Sequence, residues 1–155
     1  NAKKIEDCAT FEDFYQNYLT YFKWFISWEG KLRTMARAIR KEAIKRVIAT
    51  LANKKCITTG HDIYDVDVPL FSFWDSTTSV DTANSLVAIK KLIYDDKKYT
   101  WQQLKGALKA NWEGYDAMRA DFRAAPKFGR DEDYADELVA RLYTDLSDSS
   151  GQYAK

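Results

Sequence analysis

The fold is decided by the stretch TANSLVAIKKLIYDDKKYTWQQLKGALKANWEGYDAMRADFRAAPKFGRDEDYAD, which occupies residues 82–136. Its apolar residues recur every three or four positions, a spacing typical of amphipathic helices. Thr100 followed by Gln103 has the form of a capping box, which marks a helix start. Pro126 and Gly129 then mark a stop. The pattern therefore predicts three helices, over residues 82–94, 100–124 and 131–146.

The sequence before this stretch has the same helical character. Apolar residues, many of them aromatic, fall at helical spacing and predict a helix over residues 11–29. Gly30 is expected to interrupt it, and a second helix is predicted over residues 31–52. Turn-forming residues make residues 53–80 an irregular aromatic loop. The chain is therefore predicted to be mainly α, a single helical segment covering residues 1–155.

The composition excludes several classes of protein. Hydrophobic residues make up 46% and aromatic residues 15% of the chain, so it is a folded rather than a disordered polypeptide. A formal net charge of +1 argues against a dedicated nucleic-acid binder, which needs a basic surplus. No apolar run reaches the roughly 18 residues that a membrane span needs. Cys8 and Cys56 are too few and too far apart for a disulfide framework, so a reduced, cytoplasmic setting is expected.

The charge is unevenly distributed along the chain. Residues 31–55 are strongly basic, with Glu42 as the only carboxylate. One interpretation is a helix that contacts phosphates or another anionic surface. The preferred interpretation is a solvated face, or one that pairs with carboxylates elsewhere in a larger protein, because no stacking rings are interleaved with the cations. A stand-alone helical interaction module that engages an acidic partner through this basic helix remains the alternative.

Two places in the predicted loop invite a chemical interpretation. His61, the only histidine, has Asp62 beside it and Cys56 five positions earlier. A zinc site needs three or four ligands at tight spacing, and a Cys–His nucleophilic pair needs an orienting third group, so neither is predicted. Further along, the loop carries an aromatic cluster of Phe71, Phe73 and Trp74.

The first residue is Asn rather than Met, which indicates a processed product or a piece of a longer chain.

Four stretches of the sequence are similar to segments of one known family. NSLVAIKKL at residues 84–92 resembles the family's helix before a lysine-bearing link. ALKANWEGYDAMR at residues 107–119 is similar to its AL-AN(F/W)EGYE-(L/M)R stretch, and APKFGRDEDYAD at residues 125–136 to its APK(Y/F/W)GNDDDYAD stretch, with Arg130 where Asn is usual. TFEDFYQNY at residues 10–18 resembles TFEEFYEAY. The family is that of the glycyl radical enzymes, the pyruvate formate-lyase-like superfamily, and the resemblance is to a late helical segment of their large subunit.

The resemblance implies both a fold and a function. The helices would be outer helices of a ten-stranded α/β barrel whose strands lie mostly outside this chain. The segment would belong to the catalytic subunit of an anaerobic enzyme of radical carbon–carbon bond chemistry. Its role would be to exclude water and oxygen from the reactive interior.

The same resemblance implies the cofactors and the partners. The radical would sit on a glycine elsewhere in the full chain, installed by an activating enzyme that uses S-adenosylmethionine and an iron–sulfur cluster. This segment itself would bind no cofactor. The remainder of the large subunit and a second copy of the full enzyme are expected partners, and small accessory subunits are left open. No nucleic acid and no membrane is expected as a partner.

The family's catalytic positions have no counterpart in the sequence. The radical glycine lies in an RVxGY loop and the thiyl cysteine in a GC tip, and neither pattern occurs. Gly151 lacks the arginine–valine context, and Cys8 and Cys56 do not match the thiyl position. No catalytic residue and no metal ligand is therefore carried over.

Departures from the family pattern suggest a subfamily. Residues 56–62 lie where the family commonly has a Cys-containing DCIEKGKD turn. Many members have a GGAxYN run after this turn, and residues 64–75 do not match it, which disfavours diol dehydratases and choline lyases. Trp112, Met118 and the aromatic loop are more similar to hydrocarbon–succinate synthases, which add a toluene- or alkane-like substrate to fumarate. Arylacetate decarboxylases are the nearest rival.

The aromatic loop supplies the candidates for a substrate site. A hydrocarbon substrate has to be held by apolar shape and area, because it offers no hydrogen-bonding group. On this interpretation the substrate-pocket candidates are Phe71, Phe73 and Trp74. The preferred alternative is that the same rings pack on the outside of the barrel.

Overall fold

The computed structural model describes residues 2–66 and 79–151, and within those two ranges there are helices and turns but no strand. The prediction of a mainly α segment is confirmed for this part of the chain. In chain order the elements are a 3₁₀ helix (Ile5–Asp7), α1 (Phe11–Ala43), α2 (Val47–Leu51), α3 (Lys54–Thr59), α4 (Ser79–Ile89), a π-helix (Lys90–Asp95), α5 (Trp101–Lys109), α6 (Asp116–Ala124) and α7 (Asp133–Gly151). No helix among the described residues is both long enough and apolar enough to cross a membrane.

The chain divides into two compact units where the sequence predicts one segment. The first unit consists of Asn1–Trp24 with Ser76–Lys155, and the second of Phe25–Asp75. The first unit contains most of the buried apolar side chains. Its helices come from both ends of the chain, so the unit depends on contacts between residues far apart in sequence.

The first unit has two apolar cores. The larger one joins the start of α1 to α4 and α7, and its most buried side chains include Tyr15, Val87 and Leu142. The smaller one joins the π-helix to α5 and α6 around Leu104 and Met118. Burying an apolar side chain of this size contributes about 1.5–3 kcal/mol. The two cores therefore hold the first unit together.

Helix α1 runs through Gly30 without a break, so the interruption predicted there is wrong. A glycine inside a helix costs only about 1 kcal/mol relative to alanine, which the neighbouring turns can offset. Arg33 and Glu29 form an ion pair of 2.6 Å that spans the glycine at (i, i+4) spacing. The helix ends instead at Ala43, well before the predicted end at residue 52.

The residues after α1 are more regular than the sequence predicts. Asn53 caps α3 by accepting hydrogen bonds from the backbone N–H groups of Lys55 and Cys56. Gly60 ends the helix in the left-handed conformation, with φ of 70°, which glycine adopts without steric cost. The start of the predicted loop over 53–80 is therefore a short capped helix.

The two later helices of the first unit also differ in extent from the prediction. The capping box at Thr100 is confirmed as the start of α5. Positive φ angles at Asn111, Trp112 and Gly114 separate α5 from α6, so the one helix predicted over 100–124 is two helices in the structure. Helix α7 continues to Gly151, past the predicted end at residue 146.

Candidate functional site

The substrate-pocket candidates Phe71, Phe73 and Trp74 lie outside the described residues, so their role stays a prediction. The clefts among the described residues include one open cleft in each unit. Two polar clusters also join α7 to other helices of the first unit. Each is considered below for the chemistry that it could support.

The cleft in the second unit brings Cys56, His61 and Asp62 to one place. It encloses about 380 Å³ and is completed by Val47, Thr50, Leu51, Ile57 and Gly60. The Cys56 side chain is only 1% exposed, whereas a nucleophilic thiol has to be reached by its substrate. The structure therefore places this cysteine as a packed apolar side chain.

The carboxylate of Asp62 is occupied by hydrogen bonds that shape the chain around it. It accepts from the backbone N–H of Tyr64 at 3.0 Å and of Arg46 at 3.3 Å, and from the hydroxyl of Thr50 at 3.1 Å. These hydrogen bonds lower the pKa of the Asp62 carboxyl group, and the bond from Tyr64 has the largest effect. The residue tethers the turn at 62–65 to α2, which explains its place beside His61 without a catalytic role. Within residues 2–66 and 79–151, no cluster of three or more possible metal-binding side chains occurs.

The cleft in the first unit lies where the π-helix meets the start of α5. It encloses about 420 Å³, and the residues around it include Cys8, Tyr94 and Trp101. The Tyr94 hydroxyl donates to the carbonyl oxygen of Cys8 at 3.4 Å and accepts from the Trp101 indole N–H at 3.0 Å. Burial raises the pKa of the Cys8 thiol, so the thiol stays protonated at neutral pH. The cleft therefore lacks an activated nucleophile at Cys8.

The first polar cluster, here the Arg141 cluster, consists of Glu12, Tyr15, Arg141 and Asp145. Arg141 donates two hydrogen bonds to Glu12, of 2.8 Å and 2.7 Å, and lies 4.3 Å from the centre of the Tyr15 ring. The buried Tyr15 donates its hydroxyl hydrogen to Asp145 at 2.7 Å. Burial and then this hydrogen bond raise the pKa of Tyr15. The cluster ties α1 to α7 and keeps the phenol neutral.

The second polar cluster, here the Asp95 cluster, consists of Lys90, Asp95 and Tyr134. Asp95 accepts a hydrogen bond from the Tyr134 hydroxyl at 2.7 Å and one from the Lys90 ammonium at 3.0 Å. Lys90 also lies 4.0 Å from the centre of the Tyr134 ring. Burial opposes the charged form of Asp95, but these two donors outweigh it and lower its pKa. The cluster fixes the π-helix to the start of α7.

The stretches on which the family resemblance rests meet in the structure. The side-chain oxygen of Asn84, in NSLVAIKKL, accepts a hydrogen bond of 2.9 Å from the backbone N–H of Phe128, in APKFGRDEDYAD. Lys90 and Tyr134 join the same two stretches through the Asp95 cluster. These hydrogen bonds join α4 to the segment before α7, and the π-helix to the start of α7.

A comparison with protein families finds one match over the complete sequence. The family model described as pyruvate formate lyase-like matches residues 1–155.

Curated relatives and a solved structure extend this match. Isethionate sulfite-lyase of Bilophila wadsworthia (strain 3_1_6) is 37% identical over 115 residues, which are 70% of this chain and 13% of that protein. Indoleacetate decarboxylase of Tractidigestivibacter scatoligenes is 24% identical over 176 residues, covering 95% of this chain and 20% of that protein. The crystal structure of a hydroxyproline dehydratase from Clostridioides difficile, with substrate trans-4-hydroxy-L-proline bound, matches with a TM-score of 0.72 at 21% identity, over 96% of this chain and 19% of that one. The chain thus spans a fifth or less of the length of these proteins.

Proposed function

This chain belongs to the pyruvate formate lyase-like family, and from that membership we propose that it is a helical segment of the large subunit of a glycyl radical lyase. The match of the family over residues 1–155 carries the proposal. The shared fold over 96% of the chain supports it. On this proposal the enzyme's radical glycine and thiyl cysteine lie in other parts of a longer polypeptide.

The curated relatives favour bond cleavage over the addition of a hydrocarbon to fumarate. One is named a sulfite-lyase and the other a decarboxylase. Fumarate addition rested partly on Trp112 and Met118, and both belong to the smaller core, where Met118 is 5% exposed and Trp112 packs against Phe122. Side chains that fill a core bear on stability rather than on the choice of substrate. The proposal therefore adopts the lyase alternative, which includes arylacetate decarboxylation.

The segment encloses the place where the reaction occurs and takes no part in the chemistry itself. Its apolar cores and the two polar clusters stabilise a packed layer of helices, and such a layer can keep water away from a reactive intermediate. Cys8, Tyr15 and Tyr134 are among the described side chains whose pKa values are raised, so these three stay protonated and would not act as bases at neutral pH.

The partners and the location follow from the same proposal. An activating enzyme with S-adenosylmethionine and an iron–sulfur cluster would install the radical on the full-length chain. The full enzyme would be a cytoplasmic homodimer. The two buried free cysteines, Cys8 and Cys56, are compatible with a reducing compartment.

The proposal is tested on the full-length polypeptide that carries residues 1–155. The protein is incubated with its activating enzyme without oxygen and examined by electron paramagnetic resonance for a glycyl radical. Activated protein is then offered a sulfonate, an arylacetate, and toluene with fumarate. We expect a radical signal and cleavage of a carbon–sulfur or carbon–carbon bond. Formation of a hydrocarbon–succinate adduct would support the fumarate alternative instead, and absence of any radical would refute the proposal.

The control for this experiment is a variant with alanine at the glycine of the RVxGY loop expected downstream. It should lose both the radical signal and product formation while still folding. A variant that keeps either one would contradict the assignment of the radical.

A further inference from the structure

The second unit has almost no core of its own. Among its described residues, 25–66, only Ile26, Cys56 and Val66 are buried. A polypeptide of this length normally needs a larger apolar core, a metal or a partner to stay folded. The described residues of the second unit therefore do not form a self-sufficient domain.

The apolar side chains that could form such a core are on the surface instead. Leu32, Met35 and Ile39 follow one another at spacings of three and four, so they lie on one face of α1. Their exposed fractions are 58%, 61% and 63%. These three residues are called the Met35 stripe below. An apolar helix face of this kind marks a contact surface.

Two cationic residues near the end of α1 lie on a different side of the helix from the stripe. Arg40 and Lys41 follow Ile39 directly and, at 100° per residue, are turned away from the stripe. Both are exposed, and Lys41 is paired with Asp65 at 3.3 Å. The surface that covers the stripe can therefore be apolar without having to neutralise Arg40 and Lys41.

The lengths of the related proteins indicate what covers the stripe. In the solved structure with the same fold, the matching region is 19% of the chain, so the equivalent helices are accompanied by the rest of a much longer polypeptide. A second copy of this chain would have to bind from solution through an interface of about 1,200–2,000 Å² and to offset the loss of translational and rotational freedom. A covalently joined segment docks at an effective concentration in the millimolar range, so a small apolar face suffices.

We propose that the Met35 stripe is the face through which the second unit packs against the remainder of its own longer polypeptide. This inference rests on the proposed function, because it needs the longer chain. It goes beyond that function in assigning Leu32, Met35 and Ile39, rather than the cationic side of α1, to the internal contact.

The inference is tested by the reactivity of introduced cysteines. Met35→Cys is placed in the stripe, and Arg40→Cys is the matched control on the cationic side of the same helix. Each variant of the full-length polypeptide is treated with a maleimide, and labelling is followed for the peptide concerned by mass spectrometry. We expect Met35→Cys to react about tenfold or more slowly than Arg40→Cys, because a buried thiol reacts only after local opening. Ile39→Cys repeats the measurement if Met35→Cys does not fold.

The alternatives give different results. Equal reactivity of the stripe and control cysteines in the full-length protein would overturn the inference. Protection that disappears on dilution would assign the stripe to a second copy and would also overturn it. The proposed function is tested separately, by the glycyl radical signal. An enzyme that forms the radical but whose stripe cysteine reacts as fast as the control cysteine would refute only this inference.

Discussion

At the scale of single residues, the buried Tyr15 hydroxyl connects α1 to α7. It donates to Asp145 at 2.7 Å, and the Tyr15 side chain is 0% exposed. Tyr15→Phe removes this donor but keeps the ring, so the free energy of unfolding should fall by about 1–2 kcal/mol. Urea denaturation of the purified chain measures it. Tyr21→Phe, at a tyrosine that is 54% exposed, is the control. Equal losses in the two variants would contradict the role of the hydrogen bond.

The ion pair between Glu12 and Arg141 predicts a dependence of stability on pH. Hydrogen bonding to Arg141 lowers the pKa of Glu12 below its ordinary value of 4.5. A carboxylate with a lowered pKa in the folded state stabilises the fold above its unfolded pKa, and this contribution is lost as the pH falls through the folded value. Stability should therefore fall as the pH is lowered below 4.5.

Glu12→Gln isolates this contribution to the pH dependence. The variant should lose less stability than the parent over the same acidic range, as measured by denaturation at a series of pH values. Glu113→Gln, at an exposed carboxylate between α5 and α6, should keep the slope of the parent. The account would be wrong if Glu12→Gln and the parent gave the same slope.

Few of the residues that make these interactions between helices can be identified from sequence patterns. Glu12 and Arg141 are 129 positions apart, and nothing in local spacing shows that their helices pack together. The spacing of Cys56, His61 and Asp62 predicts neither a metal site nor a nucleophile, and in the structure Asp62 is held by the backbone around it. The sequence analysis does not predict that Asp62 tethers the turn. An Asp side chain that accepts a hydrogen bond from the backbone N–H two residues later is nevertheless a known turn signal.

At the scale of elements, the continuity of α1 through Gly30 can be tested by substitution. An added Cβ at Gly30 meets nothing within 4 Å, so Gly30→Ala should stabilise the helix by about 0.5–1 kcal/mol. Thermal unfolding followed by circular dichroism measures the change. Gly60→Ala is the contrasting variant, since a φ of 70° is strained for alanine, and it should destabilise by about 1 kcal/mol. Loss of stability in Gly30→Ala would instead support the break predicted from the sequence.

Elements were predictable where a cap and an apolar period agree. Thr100 and Gln103 fixed the start of α5 because the capping box is a local interaction. The helix break predicted at Gly30 is wrong because glycine is only weakly unfavourable inside a helix. Here Glu29 and Arg33, on either side of the glycine, also form an ion pair. The π-helix over Lys90–Asp95 is not predicted from local spacing, and its residues Tyr94 and Asp95 make hydrogen bonds to residues far away in sequence.

At the scale of the whole molecule, the larger core should dominate the stability of the first unit. Leu142 is 0% exposed and belongs to that core. Leu142→Ala should lower the free energy of unfolding by about 2–5 kcal/mol, because it loses burial and leaves a cavity. Leu108→Ala, at a leucine that is 56% exposed, should change it by less than about 0.5 kcal/mol. Similar losses at both positions would contradict the assigned core.

The family could be inferred from the sequence because the resemblance covers several separate stretches, and in the structure two of these stretches meet through Asn84, Lys90 and Tyr134. The subfamily could not, because Trp112 and Met118 serve a core that any member could share. The candidate pocket residues Phe71, Phe73 and Trp74 remain untested. The barrel that these helices would cover stays a proposal, since its strands would lie mostly in other parts of the polypeptide.

The central claim, that this chain is a segment of a larger glycyl radical enzyme, is tested most directly by sequencing the reading frame on both sides of residues 1–155. The account predicts a frame that continues in both directions, with a GC pair upstream of Asn1 and an RVxGY motif downstream of Lys155. A start codon directly before Asn1 together with a stop codon directly after Lys155 would contradict it.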